Sequence, residues 1–179
     1  KTMALAQENG LWGNRKGSTS YAREILRQNP QFTGAYFGYE PNADQNDIAY
    51  LSEHPQEKKA MGKSGRFLPY WFVAGTEIRL TPLIDMEKSL YYQGCKDRYY
   101  SDATDTAMVT EPYFYEGKMI VEQTYPIIFD GKFAGVAGVD RALTDLLIFL
   151  DRCKPYKTSK LVLISRMGRI ISSNMDQSS

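Results

Sequence analysis

Three features of the chain predict an α+β fold built on a central antiparallel sheet. Turn signals at Glu116-Gly117-Lys118 and Asp130-Gly131-Lys132 divide residues 110–143 into three strands, Asp-Gly supplying the positive φ values of a tight hairpin. The last of these strands, 133–140, is apolar on both faces, as a central, covered strand is. Helical patterns at 19–28 and 143–152 precede and follow the sheet.

Taken in order, residues 1–9 read as the end of a helix, stopped by Asn9-Gly10. A loop follows, and Ser18 or Thr19 can cap a helix carrying Tyr21, Ala22, Ile25 and Leu26 on one stripe, closed by Asn29-Pro30. Residues 32–40 (FTGAYFGYE) form an aromatic strand. Loops are expected at 41–47 and 56–63. Residues 66–73 and 77–83 form a hairpin around Ala74-Gly75. A short helix or helical loop is expected at 86–92, and an irregular polar and aromatic segment at 97–105. After the central hairpins, 144–153 is an amphipathic helix, and 161–165 with 170–173 form a last hairpin. The sheet is expected to carry five strands, near 33–40, 66–73, 113–115, 119–128 and 133–140.

Composition excludes several function classes. The 179 residues carry a net charge of +1, so nothing points to nucleic acid or an anionic membrane. The two cysteines, Cys95 and Cys153, have no metal-site spacing, and their pairing stays open. His54, the only histidine, lies in a polar loop. There is no Ser/His/Asp or Cys/His constellation and no phosphate loop, so neither an enzyme nor a bound cofactor is expected. No apolar run reaches the length of a membrane span. The chain opens on Lys1 and reads as a piece of a longer protein.

One position stands out. On the last strand, Ala134, Val136, Gly138 and Asp140 share a face. Small residues leave space there, and a carboxylate facing covered space must find a partner. An Asp at a strand end before a helix is most often a cap or a salt-bridge member. It is also where a ligand would be gripped. Thirteen tyrosines, many of them in 91–125, would suit a half-wet pocket wall.

The segments FTGAYFGYEPNADQND, GRFLPYW, SLYYQGCK, TEPYFYEGKM and PIIFDGKFAGVAGVDRAL, in that order, resemble the double Cache (dCache) family. These are extracytoplasmic sensor domains of bacterial and archaeal chemoreceptors, histidine kinases and cyclic-dinucleotide enzymes. The resemblance implies a PAS-like, membrane-distal ligand domain at 1–152, including the end of a long N-terminal helix. It implies an incomplete membrane-proximal PAS-like domain at 153–179, and membrane attachment through helices outside this sequence. It also implies a homodimer in the full receptor and a conformational signal passed across the membrane.

Amino-acid-binding members carry an Arg before a Trp-Tyr pair, a Tyr-x-Asp and a closing Asp. These positions fall on Ser89, on Tyr91 and Tyr92, on Tyr113 and Tyr115, and on Asp140. The acid for an ammonium group is kept at Asp140, and the bidentate donor for a carboxylate is absent at Ser89. GRFLPYW and YYQGCK resemble the amine-sensing branch, in which aromatic walls and one carboxylate hold a cation. Tyr115 replaces the second acid, and Glu111 or Glu122 could stand in for it. Of the neighbouring residues Tyr70 and Trp71, one should face the pocket and the other the core. The expected ligand contacts are therefore Tyr70, Trp71, Tyr91, Tyr92, Tyr113, Tyr115 and Asp140, around an amine or another small organic molecule.

Overall fold

A computed structural model describes residues 1–102, 107–115 and 118–175. The turn expected at Glu116-Gly117 and the end of the segment expected at 97–105 lie outside the described residues. The chain divides into two compact units, residues 1–110 with 122–140, and residues 111–121 with 141–179. The boundary at 152/153 read from the sequence does not coincide with this division.

In the first unit, helix α1 (Thr2–Ala6) passes into a π-helical turn, Gln7–Leu11. Helix α2 (Arg15–Gln28) follows, capped by Asn14, whose side chain accepts from the Gly17 amide at 2.9 Å. Its buried residues Arg15, Ser18, Ala22 and Leu26 recur at helical spacing, which turns one stripe toward the sheet. Strand β1 (Gly34–Tyr39) is buried at every residue. Helix α3 (Asp47–Glu53), strands β2 (Pro69–Ala74) and β3 (Glu77–Pro82), and helix α4 (Leu90–Asp102) come next. Strands β4 (Met108–Val109), β6 (Lys118–Phe129) and β7 (Lys132–Ala142) complete the sheet, in the order β3-β2-β1-β7-β6-β4. A seventh strand, β5 (Tyr113–Tyr115), pairs with the start of β6 and belongs to the second unit.

Five strands were expected in the sheet; β3, read from the sequence as the second arm of a hairpin, joins it as well, and β4 is the addition. The hairpin of β6 and β7 turns at Asp130 and Gly131, with φ of 49° and 70°, the left-handed values that the Asp-Gly pair predicts. Where a short helix and then an irregular segment were expected, a 3-10 turn at Met86–Lys88 is followed by one 13-residue helix, α4. Its polar and aromatic residues show no apolar stripe, so periodicity could not reveal it. Burial of Tyr91, Tyr92 and Cys95 holds it in place.

The core lies on one face of the sheet. Ala35, Phe37 and Tyr39 of β1, Ala137 of β7 and Ile127 of β6 pack with Ala22 and Leu26 of α2. Arg15 is buried among acids at the edge of this core. Its guanidinium donates to Asp44 at 2.7 and 2.8 Å, to Asp47 at 2.5 Å and to the Gly65 carbonyl at 2.6 Å. Burial opposes its charge, but the bonds to Asp44 and Asp47 prevail and raise its pKa.

In the second unit, helix α5 (Thr144–Arg152) buries Leu146 and Leu150, and strands β8 (Val162–Ile164) and β9 (Ile170–Ser173) form a hairpin. Both cysteines are free, Cys95 buried and Cys153 exposed. Among the described residues, no helix is long and apolar enough to cross a membrane.

Candidate functional site

Antiparallel register decides which side chains meet on the face of the sheet away from α2. Gly34 lies opposite both Phe72 and Asp140, and Tyr36 lies opposite both Tyr70 and Gly138. Directly opposed residues point the same way, so Asp140, Tyr36, Tyr70 and Phe72 share this face. Asp140 is 1% exposed. Its Oδ2 accepts a hydrogen bond from the Tyr70 hydroxyl at 2.7 Å.

Two glycines make the arrangement fit. A Cβ on Gly34 would lie 2.2 Å from Asp140 Oδ2 and 2.6 Å from the Tyr70 ring. One on Gly138 would lie 2.3 Å from the Tyr36 ring and hydroxyl. The side chains of Asp140, Tyr70 and Tyr36 therefore lie across bare backbone. Tyr91, in the first turn of α4, sets its ring edge-on to Tyr36 at 5.1 Å, and Tyr36 meets Tyr70 at 6.1 Å. The result is a buried carboxylate flanked by three tyrosines from three different elements.

A second acid shares this face. On β6, Tyr125 and Ile127 belong to the α2-side core, so alternation turns Glu122 and Thr124 to the Asp140 side. Strand β6 is the neighbour of β7, and Glu122 is 3% exposed. Glu111 instead belongs to the second unit, where its carboxylate accepts from the Met167 amide at 3.3 Å. Glu122, one of the two acids the sequence left open, thus lies on the Asp140 face. The thiol of Cys95, on α4, is buried, and burial pushes its pKa up to about 11.

Two of the other expected contacts, Trp71 and Tyr92, lie outside this cluster. Trp71 points to the opposite face, where its indole donates to the Thr19 carbonyl at 2.8 Å and Arg23 lies 5.3 Å from its ring. It is a core residue, and Tyr70 is the partner that faces Asp140. Tyr92 is also excluded from the cluster. Its hydroxyl donates to Glu40, which also takes Lys96 at 2.8 Å. Glu40 lies six residues along the chain from Gly34, about 20 Å at the rise of a strand. Burial, with the bond to Glu40, raises the Tyr92 pKa. Tyr113 and Tyr115 lie on β5 in the second unit, and the side chain of Tyr115 falls outside the described residues.

Tyr36 is the residue that sequence reasoning missed. The signal was present, since Gly34 and Gly38 flank it at a spacing of two and leave it the only large side chain on that side of β1. Ser89 carries no guanidinium, and its hydroxyl donates to the Asp85 carbonyl. A separate cavity of about 430 Å³ lies on the other side of the sheet, bounded by Met3, Ile25, Phe32 and Tyr125 among others.

Comparison with known proteins identifies the family. Residues 19–147 match the family model described as methyl-accepting chemotaxis protein-like, first PDC sensor domain. The methyl-accepting chemotaxis protein TlpQ of Pseudomonas aeruginosa is 28% identical over 146 residues, covering 74% of this chain and 20% of TlpQ. The extracellular domain of mmHK1S-Z3, assigned as a histidine kinase, superposes with a TM-score of 0.77 at 30% identity, over 95% of this chain and 59% of that one. The sensory domain of the Campylobacter jejuni chemoreceptor Tlp3, with isoleucine bound, shares the fold at 15% identity and a TM-score of 0.56, over 97% and 55% of the two chains. The chain thus spans about a fifth of its curated relative and less than two thirds of the solved sensor domains. The solved parts of these proteins are extracellular or sensory domains. With a match covering most of its length, the chain belongs to the methyl-accepting chemotaxis protein-like PDC sensor-domain family and is a sensor domain, not an enzyme.

Proposed function

We propose that this sensor domain binds a small organic amine on the Asp140 face of its sheet and converts occupancy into a signal. The observation that carries the reading is the Asp140 carboxylate, buried among Tyr36, Tyr70 and Tyr91. Tyrosine rings present negative faces to a cation, and their hydroxyls can serve its N–H groups or orient the acid. Glu122 adds a second acid on the same face. Ser89 stands where amino-acid binders resembling this chain carry an Arg. A cation is therefore the ligand whose charge these side chains complement.

A second reading has one observation in its favour. Arg98 lies two turns along α4 from Tyr91, on the same side of the helix, and its charge acts on Cys95. A guanidinium there could hold a ligand carboxylate, which would admit an amino acid of the kind seen in Tlp3.

The wider reading follows the family. Residues 1–152 are the membrane-distal, PAS-like ligand domain, and 153–179 begin a membrane-proximal one. The full receptor is a homodimer anchored by helices outside this sequence, with this part on the extracytoplasmic side. Ligand shifts the balance between two arrangements by no more than its differential affinity for them.

Calorimetric titration with a panel of amines and amino acids tests the proposal. Amines should bind, and Asp140→Asn should weaken them about a hundredfold or more, the scale of removing one partner from a buried charge pair. Tight binding of amino acids alone, lost in Arg98→Gln, would replace the amine reading with the second one. Wild-type amine affinity in Asp140→Asn would remove Asp140 from the site.

A further inference from the structure

Gln7, Ser18 and Tyr39 are each fully buried and come from three elements, the turn after α1, helix α2 and strand β1. Their polar groups form a directed chain. The Tyr39 hydroxyl donates to Gln7 Oε1. Gln7 Nε2 donates to Ser18 Oγ at 3.0 Å, and Ser18 Oγ donates to the Leu11 carbonyl at 3.1 Å. Gln7 and Leu11 are the first and last residues of the π-helical turn. The chain thus starts on the central strand and ends on the far side of that turn. Bonds linked head to tail in a dry interior strengthen one another. Burial raises the Tyr39 pKa, which keeps the hydroxyl a donor.

The turn needs such a fastening. Its backbone leaves helical values at Asn9 (φ −103°) and Gly10 (φ +112°), so the direction of α1 is not fixed by continuous helix. Trp12, just after it, stacks on the Tyr39 ring at 4.6 Å. Tyr39 itself stands three residues beyond Tyr36 on β1, and odd spacing puts the two on opposite faces. One strand therefore contributes Tyr36 to the Asp140 cluster and Tyr39 to the fastening of α1.

We propose that the Tyr39–Gln7–Ser18 chain is a latch that ties α1 to β1, so that a displacement of β1 on the Asp140 face is carried to the N-terminal helix. The ligand-driven half of this proposal rests on the amine-sensor reading, whereas the latch itself does not.

Hydrogen–deuterium exchange tests it, with Tyr39→Phe removing only the hydroxyl and Ser18→Ala breaking the chain from α2. Without ligand, the amides of residues 5–12 should exchange about tenfold faster in each variant, the scale of one buried hydrogen bond lost. Strands β2 and β3 should keep wild-type protection. Unchanged exchange at 5–12 in both variants, or acceleration that spreads equally over β2 and β3, would overturn the latch.

The second half uses putrescine as the probe, with binding measured separately by calorimetry. Bound putrescine should alter exchange at 5–12 in the wild type, and Tyr39→Phe should bind it with unchanged affinity yet show no such response. An equal response in both proteins would refute transmission through the latch. If putrescine does not bind the wild type, the amine reading fails for that ligand, and the ligand-free comparison still decides the latch.

Discussion

Gly34 decides how closely a carboxylate and a phenol can approach on the ligand face. Any Cβ there would stand 2.2 Å from Asp140 Oδ2, so Gly34→Ala must displace Asp140, Tyr70 or the strand itself. Overpacking of this kind costs about 1–3 kcal/mol. Gly34→Ala should therefore lower the melting temperature and weaken amine binding as well, because the displaced group is the proposed anchor. A thermal melt and a titration on the same preparation check both halves. A variant that melts and binds like the wild type would show that this face is more yielding than its packing implies. Residues also mark what a sequence can reveal. Asp140 was legible because a charge at the end of an apolar strand is anomalous wherever it occurs. The choice between Tyr70 and Trp71 was not, because alternation says only that they differ. Register against β1 decides it.

Helix α4 carries Tyr91, Gly94, Cys95 and Arg98 along one side. Its packing is tight, since a Cβ on Gly94 would meet the Met108 side chain at 2.3 Å. Burial of the Cys95 thiol pushes its pKa from 9.0 to about 11. The folded state thus holds this proton more tightly than the unfolded chain does. Its contribution to stability is complete below pH 9 and is lost as pH rises toward 11. The wild type should lose stability over that window by a component that Cys95→Ala lacks, measured by urea denaturation at a series of pH values. At pH 8, a maleimide should label exposed Cys153 and spare Cys95 until the protein unfolds. Parallel loss of stability in both proteins would show that other groups dominate the alkaline limb. Helix α4 was also the element least legible beforehand. Strands β1 and β7 announce themselves through aromatic and apolar runs, the β6–β7 hairpin through its Asp-Gly turn, and α2 through its apolar stripe. In α4 polar and aromatic residues surround the axis, and tertiary burial supplies what the pattern lacks. Strand β4, only two residues long, offers too short a run for any period to show.

Across the whole chain, stability should be unevenly distributed. The first unit holds the core cluster, and β1 lies between β2 and β7 with every residue buried. The second unit ends in the two-stranded hairpin of β8 and β9, where Val162, Ile164 and Ile170 are 39%, 56% and 67% exposed. A lone two-stranded hairpin is marginal in water, because too little apolar surface is covered to offset the ordering of its backbone. Its apolar residues fit a role as the opening of a further sheet, which is the reading proposed for residues 153–179. Local opening should follow this gradient. Amides of β1 and of β7 up to Asp140 should exchange only through opening close to the global free energy, whereas those of β8 and β9 should exchange orders of magnitude faster. Exchange followed by mass spectrometry resolves the two sets. Equal protection in β1 and β9 would mean that the hairpin is stabilised by more than its own pairing. Slower exchange of β8 and β9 in a longer version of the chain would show that further residues cover this hairpin.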